Sequence, residues 1–202
     1  MAVTKIHPIK STLKKALDYI ENPDKTDEKL FVSSYGCSYE TADIEFQMLL
    51  DQAYQKGNNL AHHLIQSFAP GEATPELAHE IGVKLATRLW GDRYQAIVAT
   101  HLDKENHLHN HFVVNTVSFA DGIKYHRTKK DYHEMQTVSD ELCREYGLSV
   151  IEHPQQGQGK QYGEWRAEQE QRPTWRGLIR TDIDEAIRQA MTERQFFDNL
   201  RK

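Results

Sequence analysis

Cysteine is nearly absent: Cys37 and Cys143 are the only two in 202 residues. Two thiols cannot build a disulfide framework, and neither lies in a Cys-x-x-Cys pair, so they read as reduced thiols of a cytosolic chain. Long hydrophobic runs are missing too. No apolar stretch approaches the roughly 20 residues of a membrane-spanning helix, which excludes membrane insertion. The charge-free stretch near the N-terminus is far too short for a signal-peptide core, which argues against secretion by that route. There is no Gly-x-Ser-x-Gly elbow, no Gly-rich phosphate loop and no His-Glu-x-x-His motif, so nothing points to the chemistries those motifs carry. No segment repeats. Cations are not in excess either. Against 30 Asp+Glu stand 25 Lys+Arg, a formal net charge of −5, which by itself argues mildly against a nucleic-acid partner.

What is present fits an ordinary globular protein. With 38% hydrophobic and 27% charged residues, the chain can fill one core and carry an appendage. Charge is unevenly spread. Acids crowd residues 21–51, whereas 124–130 carry only cations (Lys124, Arg127, Lys129, Lys130), as do 172–180 (Arg172, Arg176, Arg180, with Trp175 between). Such clusters are as often solvated faces as binding surfaces.

Periodicity and turn residues predict strands at 3–9, 29–35, 60–68, 93–102, 108–119 and 148–152. They predict helices after a Ser11 or Thr12 cap, at 41–55, from Thr74-Pro75-Glu76 to about Trp90, and at 131–146. The polar, Gly/Gln-rich stretch 153–163 reads as a loop, and 164–202 as a polar helical extension with Leu178, Ile179, Ile183, Ala186, Ile187 and Ala190 on its apolar face. The expected organisation is a domain over 1–152, that loop, and the extension. Strands alternating with helices, with antiparallel hairpins, indicate an α+β fold: one sheet, helices mainly on one face.

Five of the eleven histidines fall between His101 and His126. Alternation along a strand puts His107, His109, His111, Val113 and Asn115 on one face. The preceding strand brings Ile97, Ala99 and His101 to one face, and a short turn sets His101 beside His109 and His111. Three converging imidazoles make a divalent-metal site with positions left open for a ligand. Asp103 is placed to orient a histidine through its second ring nitrogen or to join the ligands. The spacing does not decide which three of His101, His107, His109 and His111 bind. Tyr19 lies off the stripe of Leu13, Ala16, Leu17 and Ile20, at the edge of a buried helix face. A tyrosine attacking phosphorus yields a phosphotyrosine ester, although most tyrosines so placed are amphipathic rim residues.

Asp18-Tyr19-Ile20, then His62-His63-Leu64-Ile65-Gln66-Ser67-Phe68, then His101-Leu102-Asp103 with His109-Asn110-His111 and Asn115 resemble, in order, the motifs of the relaxase/mobilisation nuclease family. The likeness is to its MOB-P type, of the HUH endonuclease group, found in conjugative plasmids and integrative conjugative elements. It spans residues 1–152. One departure is Asn110, where the group has a hydrophobic residue between its paired histidines. Because Asn115 follows His111 at the family spacing, the resemblance selects His101, His109 and His111 as the metal ligands.

The resemblance implies a five-stranded, largely antiparallel sheet with helices on one face, and the metal and tyrosine on the other over a cleft for single-stranded DNA. It implies strand-specific nicking at a transfer origin by transesterification. Tyr19 would keep the 5′ phosphate, a 3′ hydroxyl would leave, and Mg or Mn on the three histidines would stabilise the developing charge. Lys124, Arg127, Lys129 and Lys130 would contact phosphates, and Tyr125 and Trp175 would stack on bases. Arg172, Trp175 and Arg176 would lie in C-terminal helices gripping a DNA hairpin beside the nick. Accessory DNA-binding and coupling proteins are implied partners. The expected state is a monomer in the bacterial cytoplasm, carried to the recipient with the DNA, and the family commonly has more chain beyond this domain. The competing expectations are an HUH replication initiator, in which the tyrosine usually follows the histidine motif, a metal-dependent hydrolase without an adduct, and a metal-stabilised binding module.

Overall fold

The structure, a computed structural model, describes residues 3–54, 57–102, 107–152, 164, 167 and 170–201. The chain divides into two compact units, Met1–His153 and Pro154–Lys202. In the first, five strands form one sheet: β1 (Val3–Ile9), β2 (Val32–Tyr35), β3 (Ala61–Ser67), β4 (Tyr94–His101) and β5 (His109–Ser118). The spatial order is β1-β3-β5-β4-β2, and every pairing is antiparallel. The expected histidine hairpin therefore contributes the central strand, β5, and its neighbour β4.

Both faces of the sheet are covered, which is why every residue of β4 and β5 is buried. On one face α3 (Pro75–Trp90) and α4 (Lys129–Glu145) bring Ile81, Leu85, Met135 and Leu142 against Leu64, Val98, Phe112 and Val114. On the other, the shorter α1 (Leu13–Ile20) and α2 (Ala42–Asp51) set Leu13, Leu17, Ile20 and Phe46 on Ala61, Ile97, Ala99 and Val113. The apolar stripe read from the sequence is thus the buried side of α1.

Local chemistry explains the helix starts. Thr74 accepts a hydrogen bond from the Leu77 amide with Pro75 in the first turn, and Thr128 and Asp131 form a reciprocal capping box on α4. Helix α1 differs from expectation: Thr12 sits at its N-cap in the left-handed region, φ 59°, without a side-chain cap bond. The strand expected from residue 29 begins only at Val32, because Asp27, Glu28 and Lys29 all have positive φ and turn the chain. The helix expected over 41–55 is shorter, Ala42–Asp51. Residues 148–152 do not form the expected strand. The Leu148 amide instead bonds the Cys143 carbonyl and closes the end of α4.

Asn110, between the paired histidines, faces α3. It donates to Gln66 Oε1 (3.0 Å) and to the Ala78 carbonyl (2.7 Å), and accepts from Thr100 Oγ1 (2.7 Å). Gly82 makes room for it, since a Cβ there would lie 2.6 Å from Asn110 Nδ2. Gly82→Ala is expected to lose about 1–3 kcal/mol through overpacking, more than the propensity gain of alanine in a helix. Urea denaturation checks this, and a stabilised variant would contradict the packing.

The second unit contains α5 (Trp175–Arg188), capped by Thr174, and α6 (Glu193–Asn199), capped by Thr192. Of the predicted apolar face, Ala186 is buried while Leu178, Ile179, Ile183 and Ile187 are exposed. The predicted loop, 153–163, lies outside the described residues. No helix among the described residues is long and apolar enough to cross a membrane.

Candidate active site

Pairing of β4 with β5 places His101 opposite His109 and Ala99 opposite His111. The three imidazoles converge on the face shared with α1, and one ring nitrogen from each lies within 4.8 Å of the others. Ring centroids are 5.3 Å apart for His101–His109, 4.2 Å for His101–His111 and 4.9 Å for His109–His111. His107 is outside this group of donor atoms. Its carbonyl, however, lies 3.1 Å from His109 Nδ1.

Each ring is held from behind. His101 Nε2 is 3.0 Å from the Ile20 carbonyl, and His111 Nδ1 is 2.8 Å from His63 Nε2. Carbonyls only accept, so His101 Nε2 and His109 Nδ1 donate to them, and Nδ1 and Nε2, respectively, are the nitrogens on the other side of each ring. His111 Nε2 is buried without a hydrogen-bond partner. A divalent ion fits this donor set: three converging imidazoles, two of them oriented by main-chain carbonyls, and on the third a buried Nε2 without a hydrogen-bond partner. Burial, then the neighbouring imidazoles, depress the His111 pKa to about 2, so the ring is neutral at physiological pH, as ligation requires.

Helix α1 delivers Tyr19 to this cluster. Ile20, fully buried, anchors its last turn and gives its carbonyl to His101. The preceding residue, Tyr19, then stands with its ring 5.5 Å from His101 and 5.6 Å from His111 while 48% exposed. Over that ring, 4.5 Å from its centroid, lies Lys25 Nζ. The Lys25 carbonyl accepts from the Leu102 amide, tying this turn to the end of β4. Sequence reasoning missed, as site residues, both Lys25, one of two lysines in the acidic stretch 21–51, and His63. The signal for His63 was its phase with Ile65 and Ser67 on β3, visible only once β3 is known to flank β5.

The remaining predicted residues are dispersed. Asp103 lies outside the described residues. Lys124, 7% exposed, turns inward and donates to the Gly57 carbonyl (3.1 Å). Tyr125 packs edge-on to His62 (5.4 Å) and tilted against Tyr94 (5.5 Å). Lys124 is buried and Tyr125 half-buried because residues 123–125 fold back on β5. Arg127, Lys129 and Lys130 are exposed. Arg127 and Lys129 line, with Lys5, His7 and His133, a cleft of about 600 Å³ beside β1. In the second unit Trp175 is 84% exposed, Arg172 pairs with Glu170 (2.6 Å) and Arg176 with Glu164 (3.2 Å). Asn115 holds the fold, donating to Gln95 Oε1 and the Phe46 carbonyl.

His62 is buried away from the cluster, with neither ring nitrogen hydrogen-bonded. Its burial, helped by Arg127 and Lys124, lowers its pKa to about 4. The unfolded chain, with an ordinary histidine pKa of 6.5, takes up this proton first. Stability is therefore expected to fall as pH drops from about 6.5 towards 4, by up to roughly 3 kcal/mol from this residue. Denaturation curves of metal-free His62→Leu should be less pH-dependent over that range, and an unchanged slope would contradict the assignment.

A family model for the MobA/VirD2-like relaxase nuclease domain matches residues 19–148. One protein rlx of Staphylococcus aureus is 32% identical over 186 residues, covering 92% of this chain and 54% of the relative. A second is 38% identical over 152 residues, covering 75% and 46%. The group II intron-interrupted relaxase LtrB of Lactococcus lactis is 30% identical over 225 residues, covering 89% and 40%. The chain spans about half the length of the curated relatives it matches. The fold is shared with the Mn-bound MobM relaxase domain in complex with plasmid pMV158 oriT DNA, at a TM-score of 0.59 and 12% identity, over 83% of this chain and 98% of that one. The chain belongs to the MobA/VirD2-like relaxase nuclease-domain family.

Proposed function

We propose that this domain nicks one DNA strand at a transfer origin by transesterification, with Tyr19 as the nucleophile, and so initiates DNA transfer. The observation that carries this is the Tyr19 ring within 5.6 Å of both His101 and His111. The tyrosyl oxygen forms a bond to the scissile phosphorus, the bond to the 3′ oxygen breaks, and the 5′ phosphate stays on the protein. A divalent ion, Mn or Mg, held by His101, His109 and His111, supplies Lewis-acid polarisation of the scissile phosphate when bound. Lys25, whose ammonium lies 4.5 Å from the centre of the ring, draws a phosphate towards it. Tyr19 is half exposed, so its proton can leave to water. The phosphodiester energy is retained in the ester, and rejoining needs no ATP.

Single-stranded DNA is read as passing over the β1 edge, where Lys5, Arg127 and Lys129 line the basic cleft. Arg172, Trp175 and Arg176 are assigned to an adjacent DNA hairpin. Accessory DNA-binding and coupling proteins complete the proposed system, in which the domain acts as a monomer in the donor cytoplasm and travels with the strand. Replacing Lys129 and Lys130 by Ala should weaken binding to many sequences and reduce the log–log salt slope by about 1.4, the value for two phosphate contacts on a single strand. Fluorescence anisotropy across a salt series measures this, and an unchanged slope would remove both residues from the interface.

End-labelled single strands covering the transfer origin of the element, incubated with Mn²⁺ or EDTA and run on denaturing gels, test the reaction. The expected product is one metal-dependent cut with a free 3′ hydroxyl and a protein-bound 5′ end. A free 5′ phosphate would instead indicate hydrolysis by an activated water. Tight binding without cleavage would indicate a binding module.

A further inference from the structure

We propose that His63 is a positioning residue, whose Nε2 accepts the Nδ1 proton of His111 and keeps the Nε2 lone pair of His111 directed into the histidine cluster. The proposal rests on the metal site described above. His63 lies on β3 opposite Val113 of β5, and His111 is paired with the next in-phase residue, Ile65. The two imidazoles stack, with centroids 5.0 Å apart and planes 29° apart, and His63 Nε2 is 2.8 Å from His111 Nδ1.

A neutral imidazole carries one ring proton, so this hydrogen bond has two possible senses. With His63 as donor, the His111 proton sits on Nε2 and that nitrogen cannot ligate. With His63 as acceptor, Nε2 is bare. The surroundings favour the second. His111 Nε2 is buried and makes no hydrogen bond, so a proton there would be a buried orphan donor, at a cost of about 1–3 kcal/mol. His101 and His109 are fixed by the carbonyls of Ile20 and His107, which only accept. His63 plays for His111 the part those carbonyls play for the other two rings, and of the three acceptors it alone is a side chain that a substitution can remove.

Metal-free protein enriched in ¹⁵N gives the His111 tautomer from long-range ¹H–¹⁵N spectra, and calorimetry gives Mn²⁺ affinity without DNA. His111 is expected as the Nδ1–H tautomer. His63→Leu should bind Mn²⁺ roughly 10–100-fold more weakly. His63→Gln, whose amide oxygen can accept near the lost Nε2, should recover most of that loss. The proposal is overturned by an Nε2–H tautomer at His111, by wild-type affinity in His63→Leu, or by a Gln variant no better than Leu. Melting in EDTA identifies a Leu variant that has lost its fold, and the tautomer then decides, since it requires no substitution. Wild-type protein that binds no Mn²⁺ would overturn the metal site itself, and the tautomer would still report on His63.

Discussion

Tyr19→Phe protein is expected to fold, to bind transfer-origin single strands with wild-type affinity and to form no covalent adduct. The substitution keeps the ring beside His101 and His111 and leaves the adjoining Ile20 anchor in place. It deletes one oxygen, at a side chain that is 48% exposed, so the cost to stability should stay within about 0.5 kcal/mol. Cleavage should fall by at least roughly 10³-fold, because no other group replaces a lost nucleophile at comparable rate. Anisotropy binding and gel-resolved cleavage on one oligonucleotide measure both quantities. A Tyr19→Phe protein that still forms an adduct would place the nucleophile elsewhere. One that cleaves at the wild-type rate without an adduct would make Tyr19 a rim residue of α1.

His111→Ala is expected to have the second large effect. It reduces the three ligand nitrogens to two and empties the centre of the cluster, where His111 lies 4.2 Å from His101 and 4.9 Å from His109. Losing the polarising ion should remove several kcal/mol of transition-state stabilisation, or roughly 10²–10⁴-fold in cleavage rate. EDTA should slow wild-type protein to the same extent and slow His111→Ala no further, because both act on one component. This non-additivity separates a metal role from damage to β5, and equal melting temperatures in EDTA provide the structural control. A further large loss on adding EDTA to the variant would mean that the ion is not held through His111.

The histidine site was legible because it depends on short-range rules. A period of two sets His107, His109 and His111 in phase, the short connection from His101 indicates an antiparallel hairpin, and the family spacing from His111 to Asn115 picks His109 and His111. The same holds for α1, whose 3.6-residue stripe marked Leu13, Leu17 and Ile20 as the buried side and Tyr19 as its rim. What remained hidden depends on which strands become neighbours. His63 approaches His111 only because β3 inserts between β1 and β5. Lys25 reaches the Tyr19 ring only because its turn is bonded to Leu102. Lys124 and Tyr125 looked like a basic, aromatic surface, yet the Tyr125 amide bonds the Thr116 carbonyl and draws that segment onto the sheet. Asn110 looked like a break in the histidine motif. It instead joins Thr100, Gln66 and α3 in a buried hydrogen-bond network beneath the site, and Gly82 is the residue that admits it.

The most direct test of the account is the position of the DNA on the protein. Protein incubated with Mn²⁺ and a transfer-origin single strand, then treated with nuclease and trypsin, should yield one nucleotide-modified peptide. That peptide should be residues 16–25, in which Tyr19 is the only tyrosine, and the modification should disappear with EDTA. Cleaved DNA with no modified peptide, or a nucleotide mapped to any other residue, would contradict the claim that Tyr19 is the nucleophile of this site.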